Sequence, residues 1–182
     1  MRQIDKLARS MLSLSSDSLD HLKSARIFFE RGMVREAALK ATHEDLNLLR
    51  ETLDEQRRLL GDAENFIAAD MRFHTQIAVI SRNPIFTAVS EAMLGWLKVY
   101  HGEMLIWTGN EKFTLAEHEE IISHLAVHDP DAAEAAMVRH LEQSRALHFL
   151  LNIKHPSPKQ TLAELFVRLQ LIDTPVQQVQ RF

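Results

Sequence analysis

Between Asn65 and Pro84 the residues Phe66, Ile67, Phe73, Ile77, Ala78 and Ile80 recur at helical spacings. That period predicts an amphipathic helix with one buried face. Asn83-Pro84 marks its end, because a residue ahead of proline is pushed out of the helical region. Asp70 and His74 stand four residues apart and therefore stack on one side of the helix. A carboxylate and an imidazole in that register can grip one metal ion with no change in backbone. The same spacing also serves capping and ordinary hydrogen bonds, so the pair alone leaves both readings open.

The helical period extends along most of the chain. Ile4 to Leu14 reads as a short helix, and the next runs from Asp17 or Ser18 to about Ala41 with Leu22, Ile27, Phe28, Met33, Val34 and Ala38 inward. Gly32 interrupts that pattern and suggests a bend or a close helix contact. Thr42 with Asp45 offers a capping pair for a helix through Leu60, whose Glu51, Asp54, Glu55, Arg57 and Arg58 read as a solvated face. Gly61-Asp62 turns the chain into the Asp70/His74 helix. Ile85 to Trp107 reads as one long apolar helix, and Thr108 to Lys112 as a loop. Thr114 with Glu117 repeats the capping pattern for a helix to about Val127. Pro130 suits the first position of a further helix to about Asn152, and His155 to Pro158 reads as a linker before the amphipathic segment Leu162–Leu171.

With only 5 Gly and 5 Pro among 182 residues, and few β-branched clusters, the expected fold is all-α: an antiparallel bundle of about six to seven helices joined by short turns. The expected organisation is a connector over residues 1–17, a helical domain over 18–154, and an extension over 155–182. A net charge of −4 with no basic run gives this chain no electrostatic means of gripping nucleic acid by itself. The absence of cysteine excludes disulfides and thiolate metal sites. No stretch approaches the roughly 18 apolar residues of a spanning helix. Residues 1–10 also lack the apolar core of a signal peptide, so the expectation is a cytoplasmic protein without a membrane partner.

Ten histidines are many for this length, and their positions differ in meaning. His118 is in register with Ile121, Ile122 and Leu125, and His140 has Met137 and Ala136 one helical turn away, so both face inward. Two inward histidines on successive antiparallel helices can approach Asp70 and His74, making an oxygen and nitrogen set suited to zinc, nickel or another divalent first-row ion. Taken singly, each reads more readily as a satisfied core histidine. His148 and Ser144 lie one to two turns beyond His140 and could line the same cavity, whereas His124 falls on another face and His128 reads as a helix cap. Catalytic motifs are poorly served. No histidine has a glutamate three residues before it, which excludes the carboxylate di-iron pattern, and there is no His-Glu-x-x-His, no glycine-rich phosphate loop and no Gly-x-Ser-x-Gly elbow.

The order of elements resembles the C-terminal effector-binding (FCD) domain of the FadR-type branch of GntR-family transcription regulators. The matching residues are Arg26 to Glu30 with Ala37-Ala38, then Asp70 to His74, Ser81 to Pro84, Glu117-His118 with Ile121, Asp129 with Ala132-Ala133, and Met137 with His140-Leu141. Within the branch, Asn83 to Phe86, Trp96-Leu97 and His128 to Asp131 look most like its sialic-acid-responsive members. The resemblance covers about Ser18 to Asn152 and implies a FadR C-terminal-domain fold and a homodimer. It implies metal ligands at Asp70, His74, His118 and His140, with zinc first and nickel or manganese as alternatives. It also implies a small carboxylate effector, plausibly a sugar acid, bound at the ion. Arg26 matches the family's arginine ahead of its glutamate, with a salt bridge to Glu30 as the alternative; Ser81, Tyr100, Ser144 and His148 are candidates to read the rest of the ligand. Family members meet DNA through an N-terminal winged helix-turn-helix, and nothing between Met1 and Ser18 can replace one. Either a longer chain supplies that head, or the domain stands alone. The competing reading is a metal-dependent enzyme of helical-bundle type using the same four ligands, with Glu117 or Glu120 as its only nearby carboxylates, both of which read as solvated.

Overall fold

The computed structural model describes residues 18–100 and 111–154, and for residues 99–100 and 144–154 the backbone alone. Six helices follow in order: α1 Ser18–Lys40, α2 His43–Arg58, α3 Ala63–Ile80, α4 Pro84–Tyr100, α5 Glu111–Ala126 and α6 Pro130–Lys154. No strand occurs among the described residues. None of their helices is long and apolar enough to cross a membrane. The expected segments Ile4–Leu14 and Leu162–Leu171, the His155–Pro158 linker and the stretch from His101 through Asn110 lie outside the described residues.

Local chemistry explains where the helices begin and turn. Thr42 caps α2: its hydroxyl accepts from Asp45 N–H at 3.2 Å, and Asp45 Oδ2 accepts in return from Thr42 N–H at 2.9 Å. Gly61 takes φ +88°, a left-handed turn that suits glycine, and Asp62 then caps α3. The reverse turn after α3 puts Arg82 at φ 56°, where a residue with a Cβ is strained, and its guanidinium is held by an ion pair to Asp45. Lys40 Nζ donates to Ser81 O at 2.8 Å, so the α3–α4 turn is tied to the end of α1 and the start of α2 together. Thr42→Ala removes the hydroxyl half of this cap, and is expected to lower unfolding free energy by about 1 kcal/mol. Urea denaturation at neutral pH measures it; an unchanged midpoint would show that the backbone N–H of residue 42 and Arg82, both still bonded to Asp45, hold the start of α2 without the hydroxyl.

Helix α3 packs against α1, α2 and α4, while α5 packs against α1 and α2. Helix α6 joins the same core through Ala133, Ala136, Met137 and Leu141, and is tied to α1 by Arg31 with Glu134 and by Arg35 with Asp131 and Glu134, at 2.6 and 2.7 Å for the latter two. Phe73, Leu49, Leu53, Ile77, Ile121, Ile122, Leu125 and Met137 fill the interior. A smaller cluster of Leu22, Met33, Ala78, Met93 and Leu97 lies where α1, α3 and α4 meet. The chain divides into two units after Arg145, a boundary that α6 crosses, and everything described below belongs to the first unit.

Several local expectations are corrected. Phe28 is 70% exposed rather than inward. It sits two positions after Arg26, about 200° around the helix, and the buried stripe of α1 runs instead through Leu22, Lys23, Arg26, Glu30 and Met33. Gly32 does not interrupt α1, which is continuous through it. Thr114 is not an N-cap, since α5 is already under way at Glu111 and Thr114 is buried within it. His128 does more than end a helix: at φ 54° it turns its ring back so that Nδ1 donates to Ala38 O at 2.7 Å.

Candidate metal centre

Helix α3 runs through the middle of the packing, and its inward face presents Asp70 and His74 one turn apart. Helix α5 brings in His118 and α6 brings in His140, so the four side chains come from three rigid elements. One ligand atom from each lies within 4.8 Å of all the others. His74 Nε2 is 3.2 Å from His140 Nε2 and 3.8 Å from Asp70 Oδ2, while His118 Nε2 is 3.4 Å from Asp70 Oδ1. The rings are wedged by their neighbours: His118 stacks on Phe73 with centroids 3.9 Å apart and planes at 12°, and His74 stacks on His140 at 5.2 Å and 19°.

The outward nitrogens decide what the inward ones can be. His140 Nδ1 donates to Glu117 Oε2 at 2.8 Å, and His74 Nδ1 lies 2.6 Å from Glu30 Oε2. His118 Nδ1 donates to Gln56 Oε1 at 3.0 Å. Carboxylate and amide oxygens accept only, so each ring carries its proton on Nδ1 and turns a bare Nε2 lone pair inward. Two such lone pairs face each other at 3.2 Å, and the buried His118 Nε2 has no hydrogen-bond partner. The Asp70 carboxylate adds acceptors on the same side. Mutually facing acceptors in a buried space repel unless a cation or a proton donor lies among them. The donor set therefore fits a divalent first-row ion, with the remaining nitrogens fixed by hydrogen-bonding partners as metal-binding histidines require.

Charge supports the same chemistry. Burial pushes His118 well below the ordinary imidazole value, and a proton there would also be repelled by its neighbours, the Arg26 guanidinium among them. Burial lowers His74 as well, against the pull of Glu30. Both are held in the neutral form that metal ions bind. Burial would raise Glu30, but the Arg26 guanidinium and the contacts with Arg26 and His74 outweigh it and hold the carboxyl at about 2.

The FCD domain family pattern matches residues 21–143. This chain belongs to the FCD domain family. Among curated relatives, the HTH-type transcriptional repressor NanR of Cronobacter sakazakii is 34% identical over 162 residues, covering 86% of this chain and 61% of that repressor. The repressor of the same name from Escherichia coli is 32% identical over 146 residues, covering 79% and 55%. The chain thus spans about six-tenths of the length of these relatives, or less. Two solved structures share the fold: a GntR protein of Streptococcus agalactiae, at TM-score 0.62 and 21% identity over 74% of this chain and 62% of that one, and E. coli McbR/YncC, at 0.66 and 19% over 76% and 71%. The relatives are named as transcriptional repressors, and the FCD domain is a regulatory domain rather than an enzyme.

The ligand candidates of this FCD domain fare differently. Arg26 is buried and pairs with Glu30, Nε to Oε1 at 2.5 Å, while its Nη2 has no hydrogen-bond partner. The salt-bridge alternative for Arg26 is thus present, and the Nη2 edge of the fork is left without a hydrogen bond. Ser81 serves the end of α3, its hydroxyl donating to Ala78 O at 2.6 Å and accepting from Asn83 N–H at 3.3 Å. The side chains of Tyr100, Ser144 and His148 lie outside the described residues. Glu117, expected to be solvated, is instead half-buried against His140, because α5 and α6 pack at that height; Glu120 is exposed and pairs with Arg139 at 2.6 Å. Sequence reasoning missed Gln56 altogether. Its one signal was a polar residue on the apolar stripe of α2, three after Leu53 and seven after Leu49.

Proposed function

We propose that this FCD domain is the ligand-sensing, dimerising part of a transcription regulator in the cytoplasm, and that a winged-helix head does the DNA reading. The names of the NanR relatives support the regulatory role and the helix-turn-helix. Asp70, His74, His118 and His140 hold a divalent ion, zinc first among the candidates. The observation that carries this is the set of inward acceptors, with two Nε2 atoms 3.2 Å apart and His118 Nε2 unpartnered.

The effector is a small carboxylic acid, with sugar acids the leading class. One carboxylate and three neutral imidazoles around a divalent ion leave a charge of about +1, which favours an anionic oxygen at a vacant coordination position. The unspent Nη2 of Arg26 offers a second fixed donor beside the cluster, since Glu30 contacts both Arg26 and His74. Ligand binding would then shift the balance between conformations that the head reads. Calorimetry with a panel of sugar acids, sialic acid included, tests the reading. Zinc-loaded protein is expected to give heat with one of them, chelated protein none, and the amide of that acid far less. Equal affinity with and without metal would sink the carboxylate–metal contact.

A further inference from the structure

We propose that Gln56 is a positioning residue of the metal centre, orienting two ligands on two different helices with one neutral side chain; this rests on the metal reading above. Gln56 lies on α2, which contributes no ligand, and is 0% exposed. Its amide is used at both ends. Oε1 accepts from His118 Nδ1–H at 3.0 Å, and Nε2 donates to Asp70 Oδ1 at 3.4 Å. The amide's orientation follows from its neighbours, because Asp70 can only accept and so must meet the NH2 side.

An amide is the group this place requires. His74 and His140 are backed by the carboxylates of Glu30 and Glu117, each of which faces a single ring nitrogen of the cluster. Behind His118 the partner must also face Asp70, and a carboxylate there would set two acceptors against each other. Glutamine supplies an acceptor for the imidazole and a donor for the carboxylate on one carbon. It also adds no charge, which keeps the donor set at about +1 with a divalent ion. Burying an amide costs free energy that a leucine at the same point of the α2 stripe would not incur. Core packing therefore does not account for Gln56, whereas fixing the His118 tautomer and the Asp70 carboxylate does.

The test uses the full chain, with zinc alone as the probe. Gln56→Met keeps size and flexibility but removes both hydrogen bonds; Gln56→Glu keeps the acceptor for His118. In metal-free wild type, long-range nitrogen–proton NMR is expected to show His118 protonated on Nδ1. Gln56→Met is expected to turn that ring into a mixture of tautomers and to weaken zinc binding about 10- to 100-fold, measured by competition with a chromophoric chelator. Gln56→Glu is expected to retain the Nδ1–H form. A Gln56→Met protein with an unchanged tautomer and zinc affinity within about twofold of wild type would overturn the proposal. So would Gln56→Glu with His118 in the other tautomer, which decides the matter should Gln56→Met fail to fold. Wild type that takes up no zinc would defeat the metal reading instead, while the tautomer of metal-free protein still judges what Gln56 does to His118.

Discussion

His118→Ala is expected to leave a protein that retains no stoichiometric zinc and gains no thermal stability from it. In wild type, zinc binds the folded chain and has no preformed site in the unfolded one, so it stabilises by mass action, by about 4 kcal/mol at a thousandfold excess over Kd. Loss of one of four ligands removes that linkage. His118 is also the ring stacked on Phe73 in a fully buried position, so alanine leaves a void beside that ring. The void costs a further ~2–4 kcal/mol even without metal. Asp70→Asn separates the two effects, because it keeps shape and removes the one carboxylate of the set. It should lose most of the zinc response at little cost to the metal-free fold. Elemental analysis of untagged protein, with melting curves with and without added zinc, reads both. A zinc-dependent rise in His118→Ala as large as in wild type would place the metal elsewhere.

Acid is expected to destabilise the metal-free domain in a window that begins near the ordinary histidine value, well above where carboxylates titrate. His74 and His118 are held below 6.5 in the folded state, chiefly by burial. Below that pH the unfolded chain binds more protons than the folded one, so stability is fully present above it and falls as pH drops. Each histidine contributes a slope of up to about 1.4 kcal/mol per pH unit. Glu30 behaves in the opposite range: its carboxyl is lowered to about 2, so its contribution is lost only as pH falls from the ordinary carboxylate value through 2. A decline already evident between about pH 6.5 and 5 therefore belongs to the histidines. Protons and zinc compete for the same nitrogens, so zinc-loaded protein should release its metal across that window and show a steeper decline. Urea denaturation across the window measures both forms. A metal-free stability that is flat from pH 7.5 to 5 would mean that the buried rings take protons without penalty.

The sequence alone determined what local geometry controls. Asp70 and His74 share a face because helical rise and twist put residues four apart there, whatever packs around them. Thr42 with Asp45, Gly61-Asp62 and Pro130 set helix starts by hydrogen bonds and dihedral preferences that act within a few residues. The inward register of His118 and His140 was legible for the same reason, since each lies in an apolar stripe of its own helix. Distance in sequence marks where this stops. Gln56 finds His118 62 residues away and Asp70 14 away; Glu117 finds His140 23 away. Such pairs depend on how far helices are rotated and slid against one another, and no periodicity within one helix contains that information. The same blindness misread Phe28, because the inward face of α1 is given to Arg26 and Glu30, charges that burial tolerates only where each finds a partner. The tertiary structure alone decided that each histidine is backed by an acceptor, which leaves three bare lone pairs and a carboxylate turned toward one point.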